Sequence, residues 1–204
     1  MGGKARFLVS TSARDGRPAQ VAVFPTALGW MWCEWLDGRV QRNSFSHATL
    51  TDARESLGGD WQTLAHDEAH NEEDDAEERV DKSLVQLVER LTRFAERFDD
   101  DLLDVPLALE GTTPFVRRVL EACRQIPIGE TLTYAELARL GGSPGAARAA
   151  GNTMARNRFP LIVPCHRVVG SHGALGGYSA PSGLSMKRRL LAAEARTCSL
   201  LPLS

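Results

Sequence analysis

One cysteine and one histidine stand side by side within an apolar stretch of the chain, in the run Pro164-Cys165-His166-Arg167. A cysteine thiolate is a good nucleophile, whereas a thiol at its ordinary pKa of about 8.5 is a poor one. The thiol is therefore either placed for nucleophilic chemistry or buried as a small apolar filler. A proline disfavours helical backbone in the residue before it, so Val163 predicts a buried, strand-like segment that presents Cys165 at its end. The apolar flanks alone slightly favour the filler.

The remaining cysteines and the histidine pair of the first half give little support for disulfides or metal. The other cysteines are Cys33, Cys123 and Cys198, and no C-x-x-C pair occurs. So few scattered cysteines argue against a disulfide framework or a zinc knuckle. His66 and His70 have the spacing of helical metal ligands, but Asp67 stands where a zincin helix has Glu, and no third ligand is evident. We predict a charged linker at about residues 66–80 and no metal site.

Composition indicates an ordinary globular protein. The chain has 204 residues, of which 43% are hydrophobic and 25% charged. No apolar run approaches the roughly 20 residues that span a bilayer, and the first ten residues lack the apolar core of a signal peptide. These features predict a cytoplasmic protein.

Charge is divided unevenly between the two halves. Residues 1–110 carry 12 Lys and Arg against 22 Asp and Glu, a net of −10, and residues 111–204 carry 12 against 4, a net of +8. The basic excess is nearly all Arg, which favours contact of the second half with a polyanion such as nucleic acid. The alternative is two domains of unlike charge that pack together.

The first half reads as a small α/β domain. Strands are predicted at residues 7–10, 20–24, 30–36 and 39–45, with a hairpin turn at Asp37-Gly38. Helices are predicted at residues 51–57 and from Val80 to the acidic run at 99–101, and an edge strand at 105–109. The domain boundary is placed at Glu110-Gly111, giving an acidic N-terminal α/β domain over 1–110, an antiparallel sheet with helix.

The second half, residues 111–204, reads as mainly α. Thr113 and Pro114 open a helix whose apolar face includes Cys123, predicted to be a core residue. A short helix from Thr133, a glycine turn and a second, Ala-rich helix then fit a helix-turn-helix. Small residues flank the single long side chain Arg148, which suits either a groove of DNA or tight helix packing; the pattern alone favours neither.

Three stretches together carry a family resemblance. Pro164-Cys165-His166-Arg167-Val168, the helix-turn-helix of residues 133–154, and the tail from Gly176-Gly177-Tyr178-Ser179 to Glu194 resemble the O6-alkylguanine-DNA alkyltransferases, or methylated-DNA–protein-cysteine methyltransferases. The resemblance covers roughly residues 111–196, with the motifs in the family's order. The first 110 residues fit more loosely.

The resemblance implies direct repair of O6-alkylguanine in double-stranded DNA by a monomer that needs no cofactor and consumes itself. Cys165 takes the alkyl group irreversibly. His166 accepts the thiol proton through a bridging water, because neighbouring side chains on an extended segment point apart. Glu194 holds His166 and favours its cationic form, Asn157 orients the cysteine segment as a hinge, and Tyr134 donates toward the purine ring.

The resemblance also implies how DNA is held. The alkylated base must leave the stack, with Arg148 filling its place from the minor groove. The helix surface would be formed by Ala147, Ala149 and Gly151, and the pocket by Met154, Val168, Tyr178 and Ser179. The loop at 179–184 is about two residues longer than the family pattern, which could change the alkyl groups accepted.

Two other functions stay open on the sequence. A lesion-binding relative would mark alkylated guanine without reacting, but such relatives lack the cysteine that stands here at position 165. A transcription regulator would use Cys165 as a sensor, but the additional cysteine-rich metal domain of such relatives is not found. A cysteine hydrolase is a distant third, because no oxyanion-hole signature accompanies the pair.

Overall fold

The structure is a computed structural model that describes residues 7–14, 17–58 and 80–200. The chain divides into two compact units, Met1–Glu96 and Arg97–Ser204. Within the described ranges, no helix combines the length and apolar character needed to cross a membrane. The predicted charged linker, with His66 and His70, lies outside the described residues apart from its last position, Val80.

The first unit contains an antiparallel sheet of four strands in sequence order. They are β1 (Leu8–Arg14), β2 (Arg17–Thr26), β3 (Gly29–Leu36) and β4 (Arg39–His47). Asp37 and Gly38, which join β3 to β4, have φ values of 51° and 73°. Left-handed backbone at both turn positions matches the twist of a two-residue hairpin, so the predicted strands and turn are confirmed.

Two helices accompany this sheet, α1 (Leu50–Leu57) and α2 (Lys82–Arg97). Thr49 and Asp52 form a reciprocal capping box at the start of α1, and Gly58 ends it with φ 65°. One buried cluster joins α1 to the sheet; it consists of Ala19, Val21, Val23, Trp32, Leu36, Ala53 and Leu57. Both helices were predicted from sequence, and the first unit has the expected α/β character.

The chain between α2 and the next helix differs from the prediction. Residues 105–109 form no strand and contain only one isolated bridge position, so the predicted edge strand is wrong. Backbone carbonyls in and just before this segment are bound by arginine side chains instead. Arg124 Nη2 lies 2.8, 2.7 and 3.0 Å from the carbonyl oxygens of Leu102, Leu103 and Val105, which share its two N–H donors. These bonds tie the segment to the second unit, so the division falls at Glu96/Arg97 instead of Glu110/Gly111.

The second unit is mainly helical. Its helices are α3 (Pro114–Arg124), α4 (Tyr134–Leu140), α5 (Ala147–Ala155) and α6 (Gly183–Leu200). Thr113 caps α3 ahead of Pro114, as predicted, and Cys123 is fully buried. A short parallel pair, β5 (Leu132–Thr133) and β6 (Val168–Val169), ties the start of α4 to the chain just after the cysteine segment. That pairing brings Tyr134 and Cys165 into one neighbourhood.

Candidate active site

Cys165 lies in a tight turn and not at the end of a strand. Residues Cys165–Arg167 form a short 3-10 helix that begins after Pro164, whose ψ of 64° bends the chain. The Arg167 amide donates to the Pro164 carbonyl at 2.8 Å. The predicted extended conformation at the cysteine is therefore wrong, because the fixed φ of Pro164 combines with a turn-forming ψ; β6 begins only at Val168.

Asn157 joins the segment before the cysteine to the end of α5. Its Nδ2 donates to the Val163 carbonyl at 2.8 Å, and its Oδ1 accepts from the Phe159 amide at 3.0 Å. A hydrogen bond from Asn157 also favours the thiolate of Cys165. The side chain thus fixes the backbone before Cys165 and hydrogen-bonds the thiol; its role as a hinge that orients the segment stays a prediction.

His166 and Glu194 form a fully buried pair. His166 Nε2 lies 2.7 Å from Glu194 Oε1, and both residues have an exposed fraction of 0%. The carboxylate accepts the Nε2 proton, which leaves Nδ1 as the acceptor nitrogen of the neutral ring. Among the described residues, Nδ1 is buried and has no hydrogen-bond partner. The ring is therefore held with one unused acceptor.

Arg167 shares the same carboxylate, a role that sequence reasoning missed. Its Nε lies 3.0 Å from Glu194 Oε2 and its Nη2 lies 2.9 Å from Glu194 Oε1. Its Nη1 donates to the Ile126 carbonyl at 2.7 Å, and the Gly129 amide donates to Glu194 Oε2 at 3.2 Å. A two-point arginine–carboxylate contact fixes orientation as well as charge, so Arg167 locks Glu194 in place against His166.

The charge state of His166 is set by burial and by three charged neighbours. Burial lowers the pKa of His166, and the bond to Glu194 raises it by less, while Arg167 and Lys187 lower it further. Glu194 therefore favours the cationic ring, as expected, but burial and the two neighbouring cations outweigh it and the net shift of the pKa is downward. A neutral imidazole at neutral pH is the form that can accept a proton.

A cavity of about 650 Å³ opens beside Cys165. Of the predicted site residues, it is lined by Tyr134, Ala147, Arg148, Gly151, Met154, Cys165, Tyr178 and Ser179. It is also lined by residues that were not predicted: Thr133, Ala135, Asn152, Ala155, Gly170, Ser171 and Gly177. Ala149 and Val168 are not among the lining residues; Ala149 is exposed on α5 and Val168 is buried behind the wall.

Two tyrosines shape this cavity. Burial raises the pKa of Tyr134, and proximity to Cys165 and Cys123 adds to the shift, so the phenol keeps its proton as a donor. A side chain at Gly176, where φ is 57°, would stand 3.1 Å from the Tyr134 hydroxyl. The Tyr178 hydroxyl is buried without a hydrogen-bond partner among the described residues. The wall therefore contains polar groups that a ligand can satisfy.

Helix α5 presents a surface of small residues with one long side chain. Arg148 is exposed at its first turn, whereas Ala150, Thr153 and Met154 are buried. A Cβ at Gly151 would stand 3.7 Å from Tyr134 Cδ1, an ordinary contact. The helix therefore places Arg148 at the cavity mouth while its buried face packs on the unit's interior.

The thiol itself is almost fully buried, with 4% of the residue exposed. Burial raises the pKa of Cys165, while the Asn157 hydrogen bond, the charge of Lys187 and the amides of Cys165 and His166 lower it. The amides belong to the start of the 3-10 helix, where N–H groups point toward the sulfur. The site therefore contains several groups that favour the thiolate, set against the cost of desolvating it.

Comparison with known proteins assigns the second unit to one group. A family described as 6-O-methylguanine DNA methyltransferase, DNA binding domain, matches residues 114–196. The constitutive methylated-DNA–protein-cysteine methyltransferase of Bacillus subtilis is 41% identical over 115 residues, which cover 55% of this chain and 68% of that protein. The methylated-DNA–protein-cysteine methyltransferase of Methanothermobacter thermautotrophicus is 42% identical over 113 residues, covering 55% and 61%. That of Mycolicibacterium paratuberculosis is 48% identical over 93 residues, covering 46% and 54%.

Solved structures extend the similarity to most of the chain. The crystal structure of Mycobacterium tuberculosis OGT in complex with DNA superposes with a TM-score of 0.62 at 27% identity, covering 87% of this chain and 93% of that chain. The M. tuberculosis O6-methylguanine methyltransferase gives the same TM-score at 29% identity, covering 89% and 94%. In sequence, by contrast, the chain spans 61% and 54% of the lengths of the Methanothermobacter and Mycolicibacterium relatives.

Proposed function

Because the chain belongs to the methylated-DNA–protein-cysteine methyltransferase family, we propose that it repairs DNA by moving the alkyl group of O6-alkylguanine onto Cys165. The arrangement of the thiol and its neighbouring base supports the proposal independently of family membership. The thiol lines a cavity of about 650 Å³, and the neighbouring His166 is held by Glu194 with its Nδ1 buried and unused. A nucleophile, a base and a group that orients the base are the parts of a covalent transfer site.

The proposed reaction starts with loss of the thiol proton. His166 Nδ1 is the acceptor, through one water, and Glu194 stabilises the imidazolium that forms while Arg167 keeps the carboxylate ionised. Burial opposes ionisation of Glu194, but the bonds to His166 and Arg167 outweigh it and hold its pKa at about 2. The carboxylate is therefore ionised at every pH where the protein would work.

The alkyl carbon then changes partners. The Cys165 sulfur attacks it, the S–C bond forms as the C–O6 bond breaks, and the electron pair of that bond passes to the guanine. The base takes up a proton as it leaves, with Tyr134 donating toward the ring. The product is a neutral thioether without a thiol proton, so its sulfur cannot become a thiolate again and each protein molecule reacts once.

Access to the base requires extrusion from the duplex, since the alkyl carbon inside a stack cannot reach a sulfur that is 4% exposed. We assign this step to α4 and α5 acting as a helix-turn-helix in the minor groove. Arg148 lies at the cavity mouth, where its side chain can fill the gap that the flipped base leaves. Small residues on α5 permit close approach without reading sequence, which suits a lesion at any guanine.

Peptide mass mapping tests the proposal. The protein is incubated with a duplex containing O6-methylguanine and digested, and the methyl group is expected on the Cys165 peptide alone. Cys165→Ser should remain unmodified, and Cys198→Ser, which alters an exposed thiol, should react normally. Methylation on another residue would overturn the assignment of Cys165. Tight binding of the lesion with no methyl transfer would favour the lesion-sensor alternative.

A further inference from the structure

Asn152 is an exposed amide in the middle of α5. Asn forms a helix less readily than Ala, because its side chain competes for backbone hydrogen bonds. The hydroxyl of the next residue, Thr153, donates back to the Ala149 carbonyl at 3.0 Å. The side-chain amide of Asn152, by contrast, has no hydrogen-bond partner among the described residues. Nothing within the fold therefore explains why Asn and not Ala stands at this position.

The helix directs the Asn152 side chain toward the cavity beside Cys165. Arg148 and Asn152 are four residues apart and so lie on one face of α5, and both line the cavity. The other α5 residues along that wall are Ala147, Gly151, Met154 and Ala155. Only Arg148 and Asn152 of these six have polar side chains. A duplex laid against this face meets one guanidinium and one amide.

The spacing of these two side chains matches the spacing of base pairs. Four residues advance an α-helix by about 6 Å, and successive base pairs lie about 3.4 Å apart. With α5 in the minor groove and Arg148 in the gap that the flipped guanine leaves, Asn152 lies within about two base-pair steps of that gap. The small residues beside it let the helix approach closely enough for a short amide side chain to reach base edges.

The minor-groove edges of the neighbouring base pairs offer an amide one group to recognise. Every pair presents acceptors at purine N3 and pyrimidine O2, and only a G·C pair adds a donor, the N2 amino group of guanine. The side-chain amide of Asn has both a donor group and an acceptor. It can therefore contact guanine at two points, by donating to N3 and accepting from N2. Against an A·T pair the carbonyl would lose water without gaining a partner.

We propose that Asn152 contacts the minor-groove edge of a base pair beside the lesion and makes the protein react faster where that pair is G·C than where it is A·T. This inference rests on the proposed function and adds a specificity-determining residue to it. Arg148 cannot supply this preference, because a guanidinium has only donors and every pair presents acceptors. The preference is a bias between neighbours, and an alkylated guanine in any sequence remains a substrate.

Duplexes that differ only in the minor groove test the contact. O6-methylguanine is flanked on both sides by G·C, inosine·C, A·T or 2,6-diaminopurine·T pairs. Inosine is guanine without the N2 amino group, and 2,6-diaminopurine is adenine with that group added. The rate of methyl transfer to Cys165 is measured with the protein in excess but below saturation, for the unchanged protein and for Asn152→Ala. Ala is the better helix former, so the variant keeps α5.

The rate of the unchanged protein is divided by that of Asn152→Ala on the same duplex, which removes the effect of pair strength on extrusion. This ratio should be about fivefold or more with G·C and 2,6-diaminopurine·T neighbours, because a two-point contact with a base discriminates by at least that factor. With inosine·C and A·T neighbours it should be about twofold or less, since a single hydrogen bond replaces one to water. Iodoacetamide, which alkylates Cys165 without DNA, should react equally with both proteins.

Two results would overturn the proposal while leaving alkyl transfer in place. Equal slowing of Asn152→Ala on all four duplexes would assign the amide to a phosphate or to the flipped nucleotide, which do not change with the neighbours. Equal rates of the two proteins on every duplex would show that the amide stays in water.

Binding repeats the comparison without chemistry. The same four duplexes are bound by Cys165→Ser with and without Asn152→Ala. A preference for the amino-bearing neighbours that disappears with Asn152→Ala would support the contact even if the unchanged protein repaired none of the duplexes, a result that would contradict the proposed alkyl transfer. Absence of both repair and the preference would overturn both.

Discussion

Replacing Glu194 with Gln should destabilise the protein strongly while changing its shape little. The carboxylate binds His166 at 2.7 Å, Arg167 at 2.9 and 3.0 Å, and the Gly129 amide at 3.2 Å. Gln has nearly the same volume but no charge, so the buried guanidinium of Arg167 would lose its counter-ion. Removing one partner of a buried ion pair leaves an uncompensated charge in the interior.

The pKa of Glu194 and the typical cost of breaking a buried ion pair give a similar size for the loss in stability. The pKa of Glu194 falls from its ordinary 4.5 to about 2 in the folded protein, which corresponds to about 3 kcal/mol of stability. Breaking a buried pair typically costs about 3–5 kcal/mol. Because the pKa is lowered, this stabilisation is complete above pH 4.5 and is lost as the pH falls toward about 2. Measurement at pH about 7 therefore captures all of it.

Urea unfolding of the two proteins at neutral pH measures the difference directly. Glu194→Gln is expected to lower the free energy of unfolding by about 3 kcal/mol without changing how steeply that free energy falls with urea concentration. Glu130→Gln, which alters an exposed carboxylate in the same unit, should change it by less than about 0.5 kcal/mol. A loss below about 1 kcal/mol for Glu194→Gln would refute the view that this carboxylate holds a buried charge network.

Three further predictions concern single residues of the site. The difference in unfolding free energy between the unchanged protein and His166→Gln should shrink as the pH falls below 6.5. Burial lowers the pKa of His166, so at low pH the unfolded chain binds a proton that the folded protein does not, and only the unchanged protein loses stability in this way. Urea unfolding from pH about 7.5 to 5 checks this, and a constant difference would contradict it. Asn157→Ala should lower the free energy of unfolding by about 1–2 kcal/mol, since it removes one hydrogen bond to Val163 and one to Phe159, which thermal melting measures. It should also shift the alkylation of Cys165 by iodoacetamide to higher pH, and an unchanged pH profile would show that Asn157 does not act on the thiol. Arg148→Ala should slow repair of a duplex by about tenfold or more, because extrusion of the base costs a few kcal/mol that the inserted side chain offsets. The reaction of Cys165 with iodoacetamide should be unaltered, and an equal loss in both assays would indicate damage to the thiol instead.

Periodicity and turn chemistry predicted most of the secondary structure. The Asp37-Gly38 hairpin and the Thr113-Pro114 helix start were readable because turns and caps depend on residues close in sequence. The strand predicted at 105–109 is wrong because the carbonyls of Val105 and Ala108 are bound by Arg124 and Arg158. A side chain that reaches across the fold leaves no local signal at the segment that it binds.

The site shows the same division between local and long-range information. Cys165, His166 and Glu194 were recognisable as a motif, and the structure brings His166 and Glu194 together. The contributions of Arg167 and Lys187 could not be read from sequence, because a buried Arg or Lys looks like any surface cation until its partners are known. The charge state of His166 depends on burial and on a shared carboxylate, two properties that exist only in the folded chain.

We propose that Cys165 accepts an alkyl group from guanine O6 once and is not regenerated. The most direct measurement uses a duplex whose O6-methylguanine carries a deuterated methyl group, mixed with protein in increasing ratio. Each protein molecule should gain one labelled methyl on Cys165, and an equal amount of DNA should be restored to unmodified guanine. Repeated turnover, label on another residue, or a bound but unrepaired base would contradict it.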